Sequence, residues 1–70
     1  MKTIYVDARG CACPEPVLKT KRAMAQEHDA IEVLVDNRTA AQNISRFAKN
    51  KKYCLEETAA RDDFKLILTK

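Results

Sequence analysis

Seventy residues carrying 13 basic and 10 acidic side chains, a net charge of +3 and 46% hydrophobic residues describe one small domain, residues 1–70, with a thin core; a disordered chain would be poorer in Ile, Leu and Val. The charge is too mixed to announce a nucleic-acid binder by itself, and no apolar run approaches membrane-spanning length. Without a basic and then apolar leader the protein is expected to be cytoplasmic, where three cysteines are poor material for a disulfide framework.

Thr3 to Asp7 alternates Ile4 and Val6 with Thr3, Tyr5 and Asp7, the period of a half-buried strand, and Asp7-Ala8-Arg9-Gly10 ends it. Pro14 and Pro16 are tolerable only in the first turn of a helix, so a helix is expected to start right after Cys13. Val17, Leu18, Met24 and Ala25 fall on its apolar side, Lys19, Arg22 and Gln26 elsewhere, and the pattern fades near His28-Asp29. Ile31 to Asp36 is β-branched and alternating, with Ile31, Val33 and Val35 on one face of a second strand. Asn37 is a suitable N-cap for a second helix from Arg38 to about Asn50, built on Ala40, Ala41, Ile44, Phe47 and Ala48. Lys49, Lys51 and Lys52 gather where a helix C-terminus welcomes positive charge. Tyr53 to Thr58 and Phe64 to Thr69 read as strands of a hairpin joined by Ala59 to Asp63.

The order βαβαββ predicts an α/β (α+β) two-layer sandwich: a mixed four-stranded sheet with two helices on one face, its first three strands parallel and the fourth running against the third. Tyr5, Leu34 and Ile67 are expected on the uncovered face, either as scattered surface apolar residues or as a docking surface.

Cys13 stands just before the first helix, where the positive end of the macrodipole and unpaired amide N–H groups favour thiolate over thiol. Pro14 and Pro16 carry no N–H, which leaves the amides of Glu15 and Val17 as stabilising donors. Arg9 is positioned to add positive charge, and Glu15 is expected to face solvent. On chemistry alone Cys13 is either a nucleophile or a small hydrophobe capping the sheet.

The segment Asp7-Ala8-Arg9-Gly10-Cys11-Ala12-Cys13-Pro14-Glu15-Pro16-Val17 resembles the signature of the TusA, SirA and YedF family of small sulfur carriers. The resemblance runs the length of the chain, and Glu32 to Asn37 with Ala41, Asn43, Ser45, Arg46 and Phe47 is similar to the N-terminal domain of YedF-type proteins of selenium metabolism. It implies that Cys13 accepts sulfur, or selenium, as a persulfide-type adduct from a donor such as a cysteine desulfurase and hands it to an acceptor protein. Asp7, Arg9, Gly10, Pro14, Glu15 and Pro16 match the motif frame, with Gly10 supplying a backbone angle other residues resist. No resident cofactor or metal is implied, and the protein acts as a protein-to-protein sulfurtransferase if Cys13 is its intermediate.

Cys11 departs from the aliphatic residue common in the family. It is either a resolving thiol that attacks the Cys13 adduct or a packed loop cysteine, since a disulfide across one residue closes a strained ring. Cys54 reads as a buried strand residue and His28 as a solvated helix-end residue, and a lone Cys-X-Cys lacks the ligand pairing of a zinc site. Lys19, Lys21, Arg22, Arg38 and Arg46 are either the solvated faces of two amphipathic helices or a platform for an acidic protein or RNA. A non-catalytic domain binding RNA or a regulator through these faces is the alternative function.

Overall fold

A computed structural model describes residues 2–10 and 15–69. Along the chain come β1 (Thr3–Asp7), α1 (Glu15–Met24), β2 (Ala30–Val35), α2 (Arg38–Asn50), β3 (Cys54–Ala60) and β4 (Asp63–Thr69), the βαβαββ order expected of the sequence. The hairpin is tighter than its composition suggests. Both strands extend through the polar segment, so only Arg61 and Asp62 turn the chain, and Arg61 does so at a φ of 54°.

The sheet order is β1-β2-β4-β3. β1 lies parallel to β2, and β4 lies antiparallel to both β2 and β3, so β1, β2 and β3 share one direction. The last strand in sequence is therefore central, which suits its fully buried Leu66 and Leu68. β3 takes an edge, where the exposed Glu56 and Glu57 discourage pairing with another chain.

Alternation divides the sheet into two faces. Ile4, Ile31, Leu68 and Leu55 form one cross-strand row, and Val6, Val33 and Leu66 the next. Against them pack Pro16, Thr20 and Ala23 of α1 and Ala40, Ala41, Ile44 and Ala48 of α2. Full burial of Ile31, Ile44, Leu66 and Leu68 contributes about 1.5–3 kcal/mol for each side chain. The opposite face carries the rows Tyr5–Glu32–Ile67–Glu56 and Asp7–Leu34–Lys65–Thr58. It has no helix over it: Tyr5 is 74% exposed, and Leu34 and Ile67 are half-buried.

α1 is turned part-way from the expected face. Val17 and Met24 pack against the core as expected, but the buried side is Pro16, Thr20 and Ala23, spaced i, i+4, i+7, and Leu18 and Ala25 are exposed. Hydrophobicity alone misses the middle of this face because a threonine lies there. The Thr20 hydroxyl donates to the Pro16 carbonyl at 2.9 Å, so this polar atom is satisfied locally and its methyl group packs like an alanine.

α2 begins as its sequence requires. Asn37 is extended, and its Oδ1 accepts the Ala40 N–H at 2.7 Å. At the other end Tyr53 N–H bonds the Ala48 carbonyl and Lys52 N–H the Lys49 carbonyl, with Lys52 at a φ of 63°. That is a Schellman closure with lysine where glycine is usual. Among the described residues no helix is long and apolar enough to cross a membrane.

Candidate functional site

Parallel pairing of β1 and β2 sets the C-terminal ends of both strands side by side, beside the N-termini of both helices. Ala8 N–H extends the ladder by one bond to the Leu34 carbonyl at 2.8 Å, and the chain then leaves the sheet through Arg9 and Gly10. Four attachments hold this exit. Arg9 donates through Nε and Nη2, each at 3.0 Å, to the two carboxylate oxygens of Asp7, and its backbone N–H reaches the same carboxylate at 3.2 Å. The Arg9 guanidinium also lies 3.6 Å from Asp63 at the start of β4. Gly10 N–H donates to Asp36 Oδ2 at 2.7 Å. From α1, Lys19 Nζ donates to the Asp7 carbonyl at 3.4 Å.

Gly10 adopts a φ of +75°, and nothing lies within 4 Å of where a Cβ would stand. Its requirement is therefore conformational rather than spatial, as the sequence suggested. Glu15 is exposed and Pro16 buried, so the glutamate points its charge outward as expected. Asp7, Arg9 and Gly10 are thus held together at one end of the sheet, and Glu15 and Pro16 open α1. The expectations for Cys11, Cys13 and Pro14 fall on positions outside the described residues.

Asp36 and Asp63 were not singled out from sequence as site residues, although they complete this frame. Asp36 ended a strand next to a helix cap, which is a local reading. Its partner is 26 residues away, a pairing that only the parallel register reveals.

Two expectations are corrected. Cys54 is exposed, because β3 is an edge strand and Cys54 shares the uncovered face with Thr3, Ala30 and Thr69, at the end of the sheet opposite Gly10 and Asp36. His28 is half-buried and structured. Its ring stacks on Tyr53 with centroids 5.9 Å apart, Nδ1 lies 2.6 Å from the Gln26 carbonyl, and Nε2 lies 2.9 Å from the Tyr53 hydroxyl. A carbonyl only accepts, so Nδ1 carries the proton, and in the neutral ring Nε2 accepts from the phenol.

Electrostatics follow the same contacts. Hydrogen bonds from the Arg9 side chain, then from its backbone N–H, hold the Asp7 carboxyl down at about 2. The same pairing raises Arg9. Asp36 is lowered chiefly by the Gly10 N–H and next by the Asn37 side chain. A carboxyl whose pKa is depressed by folding stabilises the native state above its unfolded pKa near 3.9 and loses that contribution as pH falls through the folded value. The melting temperature should therefore fall as the pH is lowered from about 4 toward 2. Asp7→Asn, measured by circular dichroism across that range, should melt lower at neutral pH and show a shallower acid decline. A decline as steep as the wild type's would remove Asp7 from this role.

The family described as Sulfurtransferase TusA matches residues 4–70. The chain belongs to the TusA family. Among its TusA-like relatives, a protein of Methanocaldococcus jannaschii named as a candidate sulfur carrier is 41% identical over 93% of this chain and 91% of its own length. A second candidate sulfur carrier, from Archaeoglobus fulgidus, is 29% identical over 96% of this chain and 94% of its own. The crystal structure of a SirA-like protein from Desulfitobacterium hafniense superimposes with a TM-score of 0.87 at 30% identity, over 94% of this chain and 95% of that one. In TusA terms, the end of the sheet that holds Asp7, Arg9, Gly10 and Asp36 leads into the segment carrying the Cys-Pro-Glu-Pro sequence at 13–16.

Proposed function

We propose that this protein is a sulfur carrier whose Cys13 receives a sulfur atom from a donor protein and delivers it to an acceptor. The observation that carries the reading is the TusA family match across residues 4–70, which includes Cys13. The names of the archaeal relatives agree with it. Cys13 precedes the first residue of α1, Glu15, by two positions, and first-turn amides such as those of Glu15 and Val17 have no acceptor within the helix. Donors of that kind, with the helix dipole, favour an anionic sulfur.

Transfer is a thiol–persulfide exchange that needs no external oxidant. The Cys13 thiolate attacks the outer sulfur of a persulfide on the donor, such as a cysteine desulfurase. A new sulfur–sulfur bond forms, the donor's own sulfur–sulfur bond breaks, and the donor cysteine leaves as a thiolate. In delivery the acceptor's nucleophile attacks the outer sulfur and Cys13 is the leaving thiolate. Selenium would enter by the same displacement and is distinguished by the mass of its adduct.

The test is to incubate the protein with a cysteine desulfurase and cysteine and to weigh it intact under non-reducing conditions. The expected result is a gain of one sulfur atom by the wild type and no gain by Cys13→Ser. A wild type that gains nothing would sink the proposal and leave the binding-domain alternative, for which the exposed basic residues of the helices are the relevant surface. Cys11→Ser in the same assay assigns the neighbouring thiol. Wild-type loading together with slow release would make Cys11 a resolving group, and unchanged release would make it part of the loop.

A further inference from the structure

The last turns of α1 and α2 leave a groove between them that the core does not fill. Met24 and Ala25 line it from α1 and Phe47 from α2, Tyr53 closes it below, and the two helix ends contribute Lys21 and Lys51, around about 350 Å³ of space open to solvent. The sequence puts Phe47 in the apolar face of α2 with Ala40, Ala41, Ile44 and Ala48. Those four are buried, but Phe47 is half-buried and is not among the side chains that pack on the core. One residue before Ala48, it stands about 100° around the helix from that buried position, and its ring is left to the groove.

The base of the groove is rigid. Tyr53 is buried, its N–H bonds the Ala48 carbonyl, its ring stacks on His28, and its hydroxyl lies 2.9 Å from His28 Nε2. A partner therefore meets a surface that is already formed, which lowers the cost of ordering on binding.

Charge selects the partner. No carboxylate lines the groove, and among the described residues neither Lys21 nor Lys51 is in an ion pair. Lys51 Nζ lies 5.8 Å from the centre of the Phe47 ring, and Lys49 and Lys52 beside it are exposed. Helix dipoles account for cations near two C-termini, but not for an apolar floor left open between those cations. Small-molecule sites of about 300–1,000 Å³ enclose most of their ligand; an open groove at the bottom of that range seats one large side chain of a longer chain. Single-stranded nucleic acid needs free aromatic faces for its bases, whereas Lys51 lies over Phe47 and Tyr53 is buried.

We propose that this groove is a docking site for an acidic segment of a partner protein, with one apolar side chain of the segment on Met24 and Phe47 and its flanking carboxylates on Lys21 and Lys51. The groove lies at the C-terminal ends of the helices, and no step of the proposal involves Cys13.

The experiment selects a random peptide library displayed on phage against the immobilised full chain. The expected result is enrichment of peptides that combine an aromatic or long aliphatic residue with flanking aspartates or glutamates. Titrated into isotope-labelled protein, such a peptide should shift the amide signals of Met24, Ala25, Phe47 and Lys51 before those of Arg38 and Arg46. Phe47→Ser should weaken its binding by at least about tenfold while melting near the wild type, because Phe47 lies outside the core. Lys21→Gln with Lys51→Gln should weaken it by about as much at low salt, and the gap should narrow as salt is added. If Phe47→Ser does not fold, the glutamine pair decides, since both lysines are exposed. No enrichment, enrichment of peptides lacking either the acidic or the apolar residue, shifts centred on Arg38 and Arg46, or binding that both variants retain would overturn the proposal. So would an oligouridylate that displaces the peptide at lower concentration than the free peptide does, which would make the groove a nucleic-acid site. No sulfur donor is present, so failure of wild-type loading from a desulfurase would count against the carrier reading and leave this result standing.

Discussion

Ile44→Ala lowers the stability of this protein by about 3 kcal/mol. Ile44 has no exposed surface, and the other buried side chains of α2 are Ala40, Ala41 and Ala48. One large residue therefore fills the space between this helix and the part of the sheet it covers, β3 and β4, and truncation leaves a cavity that three alanines cannot close. For 70 residues the total stability is only about 4–10 kcal/mol. Losing about 3 of that should lower the melting temperature by about 12–24 °C. Tyr5→Ala provides the contrast: on the uncovered face its effect should stay within about 0.5 kcal/mol. Urea or thermal denaturation followed by circular dichroism checks both, and an Ile44→Ala protein melting within a few degrees of wild type would show that α2 is anchored some other way.

What the sequence disclosed depended on how local the determining physics is. Strand alternation at Ile31, Val33 and Val35 and the Asn37 cap are read within a few residues, and the structure has both. The face of α1 is only half legible, through Val17 and Met24, because Thr20 is polar by type yet apolar in place once its hydroxyl bonds the Pro16 carbonyl. Cys54 and His28 failed for a different reason. Whether a strand residue is buried depends on which strand is at the edge, and the insertion of β4 between β2 and β3 is a long-range outcome that leaves Cys54 outside. His28 found Tyr53 only because both helices end at the same end of the sheet. At the site, Asp7, Arg9 and Gly10 were recognisable as a continuous motif. Asp36 and Asp63 arrive from β2 and β4, and no spacing along the chain announces them.

Reversing the charges of Lys21 and Arg22 together should slow sulfur loading by at least about tenfold at low salt, if an acidic donor surface docks on α1. Leu18, Lys21 and Arg22 lie three and four positions apart on α1, so they are neighbours on one side of the helix. All three are exposed, with Leu18 at 42%, which places an apolar spot beside two cations on the helix that follows Cys13. Each reversal removes one positive charge and adds one negative, so Lys21→Glu with Arg22→Glu takes the net charge from +3 to −1. The expected signature is in the rate of encounter: loading of the variant is slow at low salt, and the gap narrows as salt shortens the Debye length toward about 8 Å near physiological ionic strength. Both residues lie in the last turn of α1, where cations complement the dipole, so reversal also costs about 0.3–1 kcal/mol at each position. Lys21→Gln with Arg22→Gln separates the two effects, since it loses the dipole contribution without creating repulsion and should fall between wild type and the reversed variant. Equal loading by all three proteins at low salt would move the docking surface off α1.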